Sequence, residues 1–213
     1  MRPYIFPIFY LPPVSWFSFF LFSQGRIMLE IHENFIKQTY RNRTKICSAS
    51  GVLSLIIPIQ HSSGKRKMKD VAISYAEDWR SVHWKSIKYA YRNSPYFEFY
   101  EDLLQKIYHQ QESSLICFNL NVLEILQRIL RSGQEFSFTS SYEKNPEDMV
   151  DFREKWNTKK RISLPYIKPY YQVFSEKLGF LQDLSILDLI CHLGPESMGY
   201  LKDVYFLSIF LRK

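Results

Sequence analysis

Glycine is scarce in this chain, seven residues in 213, and none falls into GxGxxG or GxxxxGK spacing. A loop that cradles phosphates on glycine backbone is therefore not expected. Cysteine is scarcer still. Cys47, Cys117 and Cys191 lie far apart with no CxxC or CxxH pair, which argues against a structural zinc site. An odd, unpatterned count among apolar neighbours fits buried thiols in a reducing compartment, so a cytoplasmic location is expected. HExxH and GxSxG are missing as well, which removes two common hydrolase patterns. No metal and no cofactor is expected. There is also no long apolar run. Pro3, Pro7, Pro12 and Pro13 interrupt the N-terminus, and Val14 to Phe22 is too short to span a bilayer. No small-x-small cleavage site follows. The segment reads instead as a strand, Ile5 to Leu11, and a helix started at Pro13.

What is present is apolar and aromatic. At 46% hydrophobic and 17% aromatic the chain has ample material for a core, and its length suits one domain over residues 1–213. Ile27 to Ile31 reads as a second buried strand, completing a βαβ-like unit. Thr44 to Cys47 and Val52 to Ile59, joined by Ser48-Ala49-Ser50-Gly51, read as a hairpin. His61 to Lys69 reads as a basic surface loop, with Lys65 to Lys69 alternatively a lid or a polyanion contact, and Val71 to Ser74 as a short strand. Helices are expected over Glu77 to Asn93, Phe97 to Tyr108, Val122 to Arg131 and Leu184 to Leu193. Phe136 to Thr139 reads as a strand, Glu143 to Asn157 as a charged, weakly helical segment, and Tyr200 to Leu211 as an apolar segment docked on the core. The expected class is α/β or α+β. The unit and hairpin form a mixed sheet over about 1–75, flanked by a helix-rich half over about 76–213.

The net charge of +7 favours acidic partners, such as phosphates, sugar nucleotides, RNA or a lipid surface. The densest cationic stretch is Asn34 to Lys45, directly after the second strand. Lys37, Arg41 and Arg43 form a candidate anion clamp, because guanidinium forks grip carboxylate or phosphate oxygens in pairs. On an extended strand, Arg41 and Arg43 share one face and Asn42 the other. The clamp competes with a plain solvated strand face.

Around the clamp stand candidates for chemistry. His32 is a candidate general base, against an ordinary histidine at a strand end. Asn42 can donate an amide to a developing oxyanion or satisfy buried backbone. Asn34 and Tyr10 are candidate ligand contacts, although the Tyr10-to-Pro13 stretch also reads as a rigid turn. His83 lies on the helix that begins near Glu77, where packing against aromatics is the simpler role. Asp188 sits mid-helix among Ile186, Leu187 and Leu189. A buried acid needs a partner, and Arg41 or Arg43 would serve.

Four segments together resemble the WbqC-like family. They are Tyr10-Leu11-Pro12-Pro13-Val14-Ser15-Trp16-Phe17, the Asn34 to Ile46 block with its Asn42-Arg43 pair, Trp79 to Phe97 with His83, and Leu184 to Leu189 with Asp188. They are spread over nearly the whole chain. The resemblance implies a link to O-antigen and surface-polysaccharide gene clusters, and a glycine transferase role suggested for some members. Where many relatives carry two acids ahead of Asn34-Phe35, this chain has His32-Glu33.

Three readings follow. The first is an acyl or glycine transferase acting on an amino sugar carried by a nucleotide, with Lys37, Arg41 and Arg43 holding the anion, His32 or His83 as base and Asn42 at the oxyanion. The second is a non-catalytic binding protein for a sugar nucleotide or another phosphorylated ligand. The third is RNA binding, which the charge permits and no recognition motif supports.

Overall fold

The computed structural model describes residues 2–156 and 167–210. The protein is of mixed α/β class. Its main sheet is parallel and built around β1 (Tyr4–Pro7) and β2 (Ile27–Glu30), which pair from Tyr4 opposite Ile27 to Pro7 opposite Glu30. Between them runs α1 (Val14–Phe22), whose residues through Phe20 are all buried. A helix apolar on nearly every side belongs inside a core, and α1 packs between the sheet aromatics and the C-terminal helix. The turn back into β2 needs Gly25, where a Cβ would sit 2.7 Å from the Arg2 carbonyl oxygen.

The hairpin strands β3 (Arg43–Ser48) and β4 (Gly51–Ile56) pair antiparallel, from Arg43 opposite Ile56 to Ser48 opposite Gly51. They form a sheet of their own and do not join the parallel one, which corrects the expected single mixed sheet. The outer edge of β3 is already taken. The Ser185 N–H donates to the Lys45 carbonyl at 2.8 Å, and the Thr44 hydroxyl donates to the Leu11 carbonyl at 2.7 Å. The Ser185 N–H thereby occupies the outer edge of β3 at Lys45.

The parallel sheet is completed by two short strands from far along the chain. β5 (Ser137–Phe138) pairs with β2, and β6 (Val150–Asp151) with β1, giving the order β5-β2-β1-β6. β5 lies where Phe136 to Thr139 was expected. β6 falls inside the segment expected to be weakly helical, whose last residue, Asn157, lies outside the described residues. Pairing with β1 overrides a charged local sequence there. The expected strand Val71 to Ser74 contributes only single bridges, Ile59 with Ile73 and Ala72 with Ser114.

Helices fill the rest: α2 (Trp79–Tyr91), α3 (Phe97–His109), α4 (Leu115–Ile129), the single turn α5 (Ser175–Leu178), α6 (Ile186–Leu193) and α7 (Ser197–Phe210). α4 starts earlier than Val122 because the Ser114 hydroxyl caps it, accepting from the Cys117 N–H. One aromatic-rich hydrophobic cluster runs from Phe6 through Trp16, Phe118 and Leu189 to Tyr205.

Candidate functional site

Open α/β sheets bind ligands outside the carboxyl ends of their strands. In this protein that end holds a buried charge network. Glu30, fully buried at the end of β2, accepts from the His32 N–H at 2.7 Å, the Thr139 hydroxyl at 2.9 Å and Arg153 Nη1 at 3.1 Å. Arg153 also grips Asp151 through Nε at 2.9 Å and Nη2 at 2.6 Å. Beside it, Arg41 forks onto Glu33, Nε to Oε1 at 2.7 Å and Nη2 to Oε2 at 2.6 Å. Burial pushes the Glu33 carboxyl up, and the Arg41 charge pulls it part of the way back. These cations are matched by protein carboxylates.

The sequence expectation that Arg41 and Arg43 share a face is corrected here. Arg41 and Asn42 lie in a turn ahead of β3, so strand parity does not reach them. Arg41 turns into the charge network and Arg43 into a separate cleft. Asp188 does not meet either arginine. It is fully buried and its Oδ2 accepts from the Tyr170 hydroxyl at 2.6 Å and Gln172 Nε2 at 2.7 Å. Those partners come from the segment just before α5. They tie it to α6, and burial pushes the Asp188 carboxyl up.

The cleft is built by two stretches of chain paired through backbone. Asn34 bridges Lys67, the Phe35 N–H donates to the Arg66 carbonyl at 2.9 Å, and the Met68 N–H donates to the Glu33 carbonyl at 2.8 Å. The basic loop is thereby held against the Asn34 to Gln38 segment. Between them lies a cavity of about 330 Å³ lined by Phe35, Lys37, Gln38, Asn42, Arg43, Ile59, Gln60, His61, Ser62 and Arg66. Three of these are cations, one is a histidine and none is an acid. The Arg66 guanidinium donates to the Gln60 carbonyl, which fixes one wall. Asn42 Nδ2 donates to the Ile57 carbonyl at 2.9 Å, which takes one of its two amide hydrogens and holds the side chain against backbone.

Lys37, Asn42 and Arg43 are thus brought together among the sequence candidates. Asn34 supports the cleft through its backbone. His32 is half-buried beside the charge network, with its own N–H held by Glu30. Sequence reasoning does not single out His61, and it reaches Arg66 only through the alternative reading of the basic loop as a lid or polyanion contact. Their membership depends on the backbone pairing of residues 34–35 with 66–67, and the loop's charge run was the one available signal.

Tyr10 and His83 meet away from the cleft. Tyr10 is fully buried, and its hydroxyl lies 3.0 Å from His83 Nδ1 and 2.6 Å from the Tyr108 hydroxyl. Desolvation lowers the His83 pKa to about 4, opposed in part by the Ile56 carbonyl. A neutral ring with Nδ1 accepting from Tyr10 and Nε2–H facing that carbonyl satisfies both contacts. Trp79 packs edge-on to the ring at 5.1 Å. Among the described residues, no cluster of histidine, cysteine or acidic side chains is arranged to hold a metal ion. No described helix is long and apolar enough to cross a membrane.

Comparison with known proteins places this geometry in context. The model of the WbqC-like protein family matches residues 9–173. That span includes the charge network, the cleft and the Tyr10–His83 contact. The chain is also 23% identical over 219 residues to "Uncharacterized protein Rv1507c" of Mycobacterium tuberculosis (strain ATCC 25618 / H37Rv), covering 91% of this chain and 94% of that protein. No solved structure matches.

Proposed function

The chain belongs to the WbqC-like protein family, and from that membership and the acid-free cleft we propose that it binds an anionic, sugar-nucleotide-type ligand between Lys37, Arg43 and Arg66. The carrying observation is that three cations line one cavity with no acid among the lining residues, while Arg41 and Arg153, the cations of the charge network, face protein carboxylates. Phosphate oxygens suit such a lining because guanidinium and ammonium groups donate several charge-assisted hydrogen bonds each.

On this reading the bound ligand takes part in surface-polysaccharide assembly, as acceptor for an acyl or glycine group. An amine nucleophile beside three cations is disfavoured as an ammonium, which helps present it in the reactive neutral form. His61 is the histidine lining the cleft and takes the proton-acceptor role there. His83, whose Nδ1 is engaged by Tyr10, supports the fold. Lys37 or Arg43, charged where Asn42 is neutral and tied to backbone through one amide hydrogen, faces the developing oxyanion.

The test pairs binding with turnover. A uridine diphosphate amino sugar should raise the melting temperature of the wild-type chain and not that of Arg43→Ala. Transfer from an activated glycine donor should then be lost in His61→Ala while binding persists. Absence of any thermal shift with the sugar nucleotide or with pyrophosphate would remove the reading.

A second reading, a non-catalytic binding module, is favoured by the burial of His83, which leaves His61 as the histidine lining the cleft. Recovery of a stabilising ligand unchanged, with the donor present, distinguishes it.

A further inference from the structure

We infer that the cleft reads the base of its ligand as well as the charge, and that the base is uracil or thymine, held by its pairing edge on Asn42 and Arg43. This rests on the phosphate-binding reading above and names the nucleotide which that reading leaves open.

The cleft is graded in depth. Lys37 and His61 are exposed at its rim, Phe35, Ile59 and Arg43 are half-buried, and Asn42, at 6% exposure, is the one buried residue of the lining. Two buried polar atoms at that depth have no hydrogen-bond partner among the described residues. They are Asn42 Oδ1, an acceptor, and Arg43 Nε, a donor. The Asn42 side chain is not free to turn toward another donor, because Nδ2 is held by the Ile57 carbonyl at 2.9 Å. A buried acceptor and a buried donor on successive residues, both unmatched, are costly alone. A ligand that presents an N–H beside a carbonyl matches both.

The count selects the base. The lining is rich in donors, and its buried acceptor is a single oxygen, Asn42 Oδ1. Uracil and thymine carry one N–H between two carbonyls on that edge. Cytosine, adenine and guanine each carry an amino group, whose second hydrogen would find no buried acceptor. Phe35 and Ile59 offer apolar surface to the ring faces. Stacking on an aromatic accepts every base, so the edge sets the preference. Arg43 serves both levels: Nε–H meets a base carbonyl, and the outer nitrogens join Lys37 and Arg66 on the phosphates. A cavity of about 330 Å³ is at the small end of ligand sites and suits a pyrimidine better than a purine diphosphate.

Calorimetric titration of the full chain with the diphosphates of uridine, thymidine, cytidine, adenosine and guanosine, and with pyrophosphate, tests this. Uridine or thymidine diphosphate should bind about tenfold or more tighter than the other three nucleotides. N3-methyluridine diphosphate keeps the ring and phosphates but lacks the N–H, and should lose that advantage. Asn42→Ala, with an unchanged far-ultraviolet circular dichroism spectrum, should lose it too, and the methylated ligand gives the same answer on the wild-type chain should the variant not fold. Equal binding of the five nucleotides, or preference for one with an amino group, overturns the base assignment while bound pyrophosphate leaves the anion reading standing. Undiminished binding of the methylated nucleotide overturns the assignment in the same way. No binding of any probe, pyrophosphate included, overturns both.

Discussion

Asp183 caps helix α1 across 168 residues of sequence: its Oδ1 accepts from the Ser15 N–H at 2.8 Å and its Oδ2 from the Ser15 hydroxyl at 2.8 Å. The residue ahead of the helix, Pro13, offers no side-chain cap of its own. A distant carboxylate therefore satisfies a donor that a local serine or aspartate normally would. The same Ser15 hydroxyl accepts from Trp156 Nε1 at 2.7 Å, so the cap also anchors the chain just beyond β6.

Removing that cap should cost what an N-cap usually does. Asp183→Ala is expected to lower stability by about 1–2 kcal/mol, and Asp183→Asn by less, since an amide oxygen still accepts from Ser15. Urea unfolding midpoints of the three chains decide this. An alanine variant with a wild-type midpoint would contradict the capping role.

Acid dependence should show two opposed contributions. Burial raises the Asp183 carboxyl from 3.8 to about 6, so the native state holds the extra proton in that window. Its contribution to stability falls as pH climbs through the window and is level above it. His83 runs the other way, from 6.5 down to about 4. Its contribution is complete above pH 6.5 and is lost as pH falls toward 4. The two slopes oppose one another in the wild type. Asp183→Asn should unmask the histidine, leaving a protein whose stability drops more steeply on acidification from 6.5 to 4. Denaturant titrations across that range read the slopes, and identical profiles would refute the assignment.

The two arginines should part company. Glu33→Gln leaves the Arg41 charge buried without its carboxylate, a loss of about 3–5 kcal/mol. Arg43→Ala, at the cleft, should change stability little and weaken binding of a phosphorylated ligand about tenfold or more. Calorimetric titration with pyrophosphate beside thermal unfolding separates the effects. Equal destabilisation by both substitutions would count against the division into network and cleft.

Tyr10→Phe should be costly although it deletes one atom. The hydroxyl links His83 and Tyr108, both nearly inaccessible, and its loss orphans groups that water cannot reach. A loss of about 1–3 kcal/mol is expected, read as a lower unfolding midpoint. A neutral result would mean the link contributes nothing net.

Much of this architecture was legible locally. The Pro13 helix start, the strand before Asn34 and the hairpin turn with Gly51 at φ +112 all follow from residue chemistry. β6 was not, because Val150 and Asp151 become a strand only through β1. The Asn34 to Lys45 stretch reads in sequence as a candidate anion clamp with its two arginines on one face, and the face assignment does not hold. Parity counts only inside a strand, and β3 begins at Arg43. Arg41 was claimed by Glu33, eight residues earlier, a pairing with no periodic signature. Asp188 needed a partner, as a buried acid does, and found Tyr170 and Gln172.

Every residue lining the cleft lies between Phe35 and Arg66. On the proposed reading, the ligand contacts come from a contiguous cassette, rooted on β2 and the hairpin and independent of the helical half for its lining. On that reading, lengthening the loop at Ser62 to Gly64 should change ligand preference while leaving the aromatic core untouched.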